Sequence, residues 1–203
     1  MPFDEISFVN DFRQQPAVQV PTDDAPIQGL KGDNPPLRIV EFADFQCPAC
    51  GMAAKQLHRL LPLYGDRVQF VFRNYPLDQA CNVNIPRPMH PYACLAAKTA
   101  VCMHKQGKFA AMFEALFGKQ TQISAENIQK WAIELGADVN ALDACVKDDA
   151  TNTSIQKDIA LATTLGLIST PTFFVNGRKV EGAIDEKRMQ ILLREHGLDP
   201  NPR

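Results

Sequence analysis

Ile39-Val-Glu-Phe-Ala-Asp-Phe-Gln-Cys-Pro-Ala-Cys50 carries an extended run straight into a pair of cysteines. Ile39, Val40, Phe42 and Phe45 make the run apolar and β-prone, and Met52 to Leu61 have the composition and spacing of a helix, so Cys47 and Cys50 fall at a strand-to-helix junction. A thiol there faces unpaired backbone N–H groups and the positive end of the helix dipole, which favours thiolate over thiol. Pro48 sits where an early-turn proline costs little, because its missing N–H would have had no helical partner. The two-residue spacer lets the second sulfur reach the first and close a small ring that can be reopened. That is chemistry for passing a disulfide to or from another protein.

Downstream, Tyr64-Gly65-Asp66-Arg67 reads as a turn and Val68-Gln-Phe-Val-Phe-Arg-Asn74 as a second strand. Strand, helix and strand in so short a span predict a right-handed βαβ unit with parallel strands, which brings the segment after Asn74 to the edge where Cys47 lies. Tyr75 to Pro91 holds Pro76, Pro86, Pro88 and Pro91, with Cys81 among them, and is too proline-rich for regular structure. Alanine-rich helical periodicity then covers about 92–105, 109–117, 125–135, 139–148 and 153–165, with Ser124 and Asp138 as N-caps. Ser169-Thr-Pro-Thr-Phe-Phe-Val175 and Lys179-Val-Glu-Gly-Ala-Ile184 flank Asn176-Gly177 and predict a hairpin; a last helix runs from 185 to 196, with Asp185 as N-cap and Gly197 ending it.

Upstream, Phe3, Ile6, Val9 and Phe12 predict a short amphipathic helix over 3–14, Val18 and Val20 predict an edge strand, and Pro21 to Pro36 reads as a surface loop. The expected organisation is therefore an N-terminal helix, strand and loop (1–36), a core of 37–78 and 167–197, and an insertion of 79–166.

At 203 residues and 45% apolar side chains, the chain is long enough for one sizeable core with an insertion. A net charge of −2 gives no pull toward nucleic acid or an anionic membrane surface. No run of 18 apolar residues exists, and Met-Pro-Phe-Asp-Glu lacks the basic and apolar regions of a signal peptide. Six cysteines nevertheless argue for an oxidising compartment. The expectation that joins these is an extracytoplasmic, periplasm-like location with the signal or membrane anchor absent from this chain.

A C-x-x-C alone also describes half a zinc site; the strand–helix context and the Thr170-Pro171 strand much later favour redox. Setting Cys47 and Cys50 aside, three pairings of Cys81, Cys94, Cys102 and Cys145 remain. Cys81 and Cys94 bracket the proline-rich loop, and Cys102 and Cys145 lie in the first and fourth helices of the insertion, so Cys81–Cys94 and Cys102–Cys145 are expected as structural disulfides. Zinc held by Cys81, His90, Cys94, Cys102 or His104 is the alternative. His58, His90, His104 and His196 otherwise receive no catalytic assignment, and Trp131 is read as packing. No metal and no cofactor is expected.

Asp44-Phe-Gln-Cys-Pro-Ala-Cys50, Arg73-Asn-Tyr-Pro-Leu77, Gln106-Gly-Lys-Phe109 and Ser169-Thr-Pro-Thr-Phe-Phe-Val-Asn-Gly177 together resemble the DsbA-like thioredoxin-fold disulfide oxidoreductases. The Cys81 to Cys94 section also resembles thioredoxin-like domains associated with vitamin K epoxide reductase homologues. The resemblance implies an α/β fold, a mixed central sheet flanked by helices with an inserted helical subdomain. It makes Cys47 the exposed nucleophile and Cys50 the buried resolving thiol, with Pro48 and Ala49 shaping the site. Thr170 and Pro171 match the cis-proline loop, where the Thr170 backbone pairs with an extended substrate segment. Glu41 matches the buried acid that handles the proton of the resolving cysteine, with Arg73 as its partner.

Ala49 stands where the most oxidising relatives have a histidine. The helix terminus, Cys50 and the Thr170 hydroxyl then remain to stabilise a Cys47 thiolate, which places its pKa at roughly 4.5–6.5 and the potential at roughly −130 to −220 mV. The implied function is a disulfide-donating oxidase acting on reduced or misoxidised exported proteins and reoxidised by a membrane quinone-linked partner. A disulfide isomerase or reductase is the runner-up, and a metal-handling module with Met52 as an extra ligand stands behind it. A monomer is the expected state.

Overall fold

The computed structural model describes residues 3–180 and 182–202, without the Phe3 side chain. Two compact units emerge. The first comprises residues 1–41, 55–73 and 171–203, and the second residues 42–54 and 74–170.

The first unit is built on a five-stranded mixed sheet: β1 (Ile27–Gly29), β2 (Leu37–Ala43), β3 (Val68–Asn74), β4 (Thr172–Val175) and β5 (Arg178–Val180), in the order β1-β3-β2-β4-β5. The last residues of β2 and β3 run on into the second unit. β2 and β3 read as near-continuous apolar runs because both faces are covered, and Leu37, Phe70, Val71 and Phe72 are almost wholly buried. Each such side chain is worth about 1.5–3 kcal/mol in apolar surface removed from water. Helix α2 (Pro48–Tyr64) joins β2 to β3, and α1 (Phe3–Gln14) packs beside α8 (Glu186–Glu195), where Arg13 makes a two-pronged pair with Glu195 and Phe12 meets His196 edge-on.

Val18 and Val20 form no strand; the Val18 N–H bonds to the Gly177 carbonyl oxygen without a ladder around it among the described residues. The edge strand is β1, within the stretch read as a surface loop, and it pairs antiparallel with β3 (Ile27↔Val71, Gln28↔Phe70, Gly29↔Gln69). The pairing runs past its ends through Phe72 N–H to Pro26 and Leu30 N–H to Val68. Gly29 is required there: φ is +72°, and a Cβ would stand 2.4 Å from the Val68 carbonyl oxygen. The hairpin forms around Asn176-Gly177 with both residues at positive φ, but β5 ends at Val180 rather than continuing to Ile184; Glu181 lies outside the described residues.

The second unit holds α3 (Ala93–Lys105), α4 (Phe109–Gly118), a 3-10 turn (Gln120–Gln122), α5 (Ala125–Glu134), α6 (Val139–Lys147) and α7 (Asp149–Thr164). Ser124 and Asp138 cap as expected, accepting from Asn127 and Ala141 N–H groups at 3.1 and 3.0 Å. α7 begins at Asp149 rather than near Thr153, because Asp148 caps it through the Ala150 N–H. Met103, Met112, Phe113, Leu116, Ile128 and Ile155 form the core of this unit. Two disulfides cross it: Cys81–Cys94 and Cys102–Cys145.

Candidate active site

Cys47 immediately precedes α2, and its carbonyl oxygen accepts the first helical bond, from the Gly51 N–H at 3.0 Å. Proline therefore occupies the first helical position, and the next two N–H groups, of Ala49 and Cys50, are left to face the Cys47 sulfur. Cys47, expected as the exposed thiol, is itself buried and retains 7% of its surface, Cys50 retains none, and neither is joined in a disulfide. The Cys47 thiol donates to the Thr170 carbonyl oxygen at 3.6 Å. The Thr170 hydroxyl is buried without a partner among the described residues, so it is available to the sulfur once the thiol ionises. Hydrogen bonding from the Cys50 thiol draws the Cys47 pKa down to about 5, against the opposing effect of burial and with further help from Thr170 and the Cys50 and Ala49 N–H groups. That value falls inside the range expected from the sequence.

The turn before Cys47 is held from four directions within the second unit. The Asp44 carboxylate is buried and accepts from the Gln46 and Leu77 N–H groups, each at 2.6 Å, while its carbonyl oxygen accepts from the Cys47 N–H at 3.1 Å. His90 Nδ1 lies 2.9 Å from the same carboxylate, which raises the imidazole pKa. Gln46 Oε1 accepts from the Tyr92 N–H at 2.7 Å. Gln120 Nε2 donates to the carbonyls of both Phe45 and Cys47, each at 2.8 Å, and the Phe45 ring packs against Phe113 and Phe117 of α4 with centroids 6.3 and 4.9 Å away. A Cβ on Gly51 would stand 2.5 Å from Gln120 Oε1, so glycine leaves room for that clasp.

Of the residues picked out by sequence, Cys47, Pro48, Ala49, Cys50 and Thr170 thus share one small region. Glu41 is buried on β2, and Pro171 precedes β4; Arg73 donates to the Pro21 and Asp23 carbonyls at 2.8 and 3.2 Å. Sequence reasoning missed Asp44, Gln46, His90 and Gln120. The one available signal was for His90, as the histidine of a loop expected to emerge beside Cys47. Among the described residues no group of three metal-ligating side chains occurs.

The thioredoxin family model matches residues 32–195. The chain belongs to the thioredoxin family. A thioredoxin-like oxidoreductase from Silicibacter pomeroyi DSS-3 superposes with a TM-score of 0.68 at 26% identity, over 85% of this chain and 92% of that one. BdbD from Bacillus subtilis shares the fold at 20% identity, with a TM-score of 0.71 over 90% of this chain and 97% of that one. A sodium/proton antiporter, NhaA 1 of Mycobacterium sp. (strain KMS), is 32% identical over 159 residues, which is 77% of this chain but 24% of the antiporter. The chain thus spans about a quarter of the length of the curated relatives it matches. Among the described residues no helix is long and apolar enough to cross a membrane.

Proposed function

We propose that Cys47 and Cys50 exchange a disulfide with protein substrates in an extracytoplasmic compartment, with net transfer of the disulfide to the substrate. The observation that carries this reading is the asymmetry of the pair: Cys47 keeps a small part of its surface and is acidified to about 5, while Cys50 keeps none. A substrate thiolate attacks the Cys47 sulfur of the Cys47–Cys50 disulfide, forming a mixed disulfide and expelling Cys50, which takes up a proton. A second substrate thiolate attacks the substrate sulfur of that bond and expels Cys47, which stays as thiolate. Two electrons pass to the protein and one proton to solvent. The substrate leaves with a disulfide.

An acidic Cys47 favours this direction, because stabilising the thiolate stabilises the reduced form and makes the disulfide the stronger oxidant. Thr170 and Pro171 are proposed to receive an extended substrate segment. Glu41, a carboxylate buried on β2, is proposed to handle the Cys50 proton. The domain is proposed to act as a monomer and to be reoxidised by a quinone-linked membrane protein.

Equilibration with glutathione buffers tests the reading. A Cys47–Cys50 potential above about −180 mV, with catalysed oxidation of a reduced test protein, supports an oxidase, and a value near −270 mV would make it a reductase.

A further inference from the structure

The loop between β3 and α3 is lashed to the active-site turn by two neighbouring rungs. His90 Nδ1 meets Asp44 Oδ2 at 2.9 Å, and the Tyr92 N–H meets Gln46 Oε1 at 2.7 Å. Residues 90–92 therefore lie alongside residues 44–46, and Cys47 is the next residue, its N–H bonded to the Asp44 carbonyl oxygen. The Asp44 side chain has no exposed surface and the His90 ring retains 18%. A carboxylate so enclosed beside a forming thiolate opposes it, unless a cation offsets the carboxylate.

We infer that His90 is a positioning and charge-supplying residue of the exchange centre: held by Asp44, it provides from the loop the positive charge that the dipeptide between the cysteines, Pro48-Ala49, does not contain. This rests on Cys47 being the exchanging thiol. Asp44, just after β2, meets the imidazole directly, and the charges of Cys47, just before α2, and Asp78, in the loop after β3, act on it as well, all three favouring the imidazolium. Asp44 is the strongest of them. Of the cysteines the zinc alternative would use with His90, Cys81 and Cys94 are joined to each other and Cys102 is joined to Cys145.

Coupling between two titrating groups is reciprocal. If the imidazolium makes Cys47 about tenfold more acidic, the thiolate makes His90 about tenfold more basic. The thiolate exists only in the reduced protein. His90 should therefore titrate about one pH unit higher in the reduced than in the oxidised protein, and reduction should take up extra proton across the interval between those two values.

Two measurements test this. NMR titration of the His90 ring in the oxidised and reduced protein should show the upward shift on reduction. In His90→Gln, which keeps a donor for Asp44 but loses the charge, ultraviolet thiolate titration should put the Cys47 pKa up about tenfold in acidity constant. At neutral pH the disulfide should become a weaker oxidant by the same factor, about 30 mV. Asp44→Asn combined with His90→Gln should bring the Cys47 pKa back toward the parent value. Equal His90 titration in both redox states would overturn the inference, and that comparison needs no variant to fold. In that outcome thiol exchange at Cys47 would stand; failure of Cys47 and Cys50 to interconvert between dithiol and disulfide would instead overturn the proposed function.

Discussion

Replacing Cys50 by alanine removes the strongest influence on the Cys47 thiolate and leaves the helix terminus in place. A hydrogen bond to a charged group contributes about 1.5–3 kcal/mol, and 1.36 kcal/mol corresponds to one pKa unit. Losing the Cys50 donor should therefore move the Cys47 pKa from about 5 to roughly 6–7. Cys50→Ser keeps a donor of similar length and should stay close to the parent. Thiolate absorbance near 240 nm in the two single-thiol variants reads the difference directly. Since neither can form the Cys47–Cys50 disulfide, the Cys81–Cys94 and Cys102–Cys145 bonds can stay intact throughout. Reaction with an alkylating probe at pH 6 should follow the same order. Thiolate would fall from about nine-tenths of the protein to a quarter for a pKa near 6.5. If Cys50→Ala still titrates near 5, the backbone N–H groups and Thr170 alone set the acidity, and the reasoning from the Cys50 thiol is wrong.

The same depressed pKa links stability to pH. An acid whose folded pKa lies below its unfolded value of about 8.5 contributes stability that is complete above that value and is lost as pH falls through the folded value near 5. The stability of Cys50→Ser relative to the double variant Cys47→Ser/Cys50→Ser should thus grow by up to about 4 kcal/mol from pH 5 to pH 8 in denaturant unfolding, and a flat difference would count against it. Gly51→Ala should gain close to the helix preference of alanine, about 1 kcal/mol, only when Gln120 is also alanine; in the parent the displaced clasp should cancel or reverse the gain. Chain-entropy arguments give about 4 kcal/mol for the Cys102–Cys145 bond, with its sequence separation of 43, and about 3 kcal/mol for Cys81–Cys94, with 13. Alanine pairs at each should lose stability in that order by denaturant midpoint, and the reverse order would show that native contacts outweigh loop closure.

Most of the fold was legible because its signals are local. The apolar runs of β2 and β3, the Asn176-Gly177 turn, and the Ser124, Asp138 and Asp185 caps each act within a few residues, and the structure shows all of them. β1 was hidden because three residues containing Gly29 have no alternation to read; the strand exists by virtue of its partner β3. Val18 and Val20 mislead for the opposite reason: alternation without a ladder is not a strand. α7 starts early because its first turn is polar, so its periodicity emerges only at Ile155 while Asp148 has already set the cap. Cys47, Cys50 and Thr170 were readable as a motif. The residues around them were not, since Asp44, Leu77 and His90 are far apart in sequence and become neighbours only once the chain has folded.

That distance bears on what tunes a site of this kind. A set of clasps on the turn before Cys47 comes from the segment between β3 and β4: Leu77 and His90 on Asp44, Tyr92 on Gln46, Gln120 on the carbonyls of Phe45 and Cys47, and Phe113 and Phe117 on the Phe45 ring. The cysteine turn accordingly belongs to the same compact unit as the helices, while most of the sheet belongs to the other. A substitution between the cysteines changes the charge at one point. A change in the helical insertion moves the backbone whose N–H groups and carbonyls surround the sulfur. Redox properties in this chain should therefore respond to residues such as Gln120, which touches neither sulfur, as well as to Ala49. Gln120→Ala tests this: it should raise the Cys47 pKa as well as lower stability, and loss of stability with an unchanged thiolate titration would confine the insertion to a structural part.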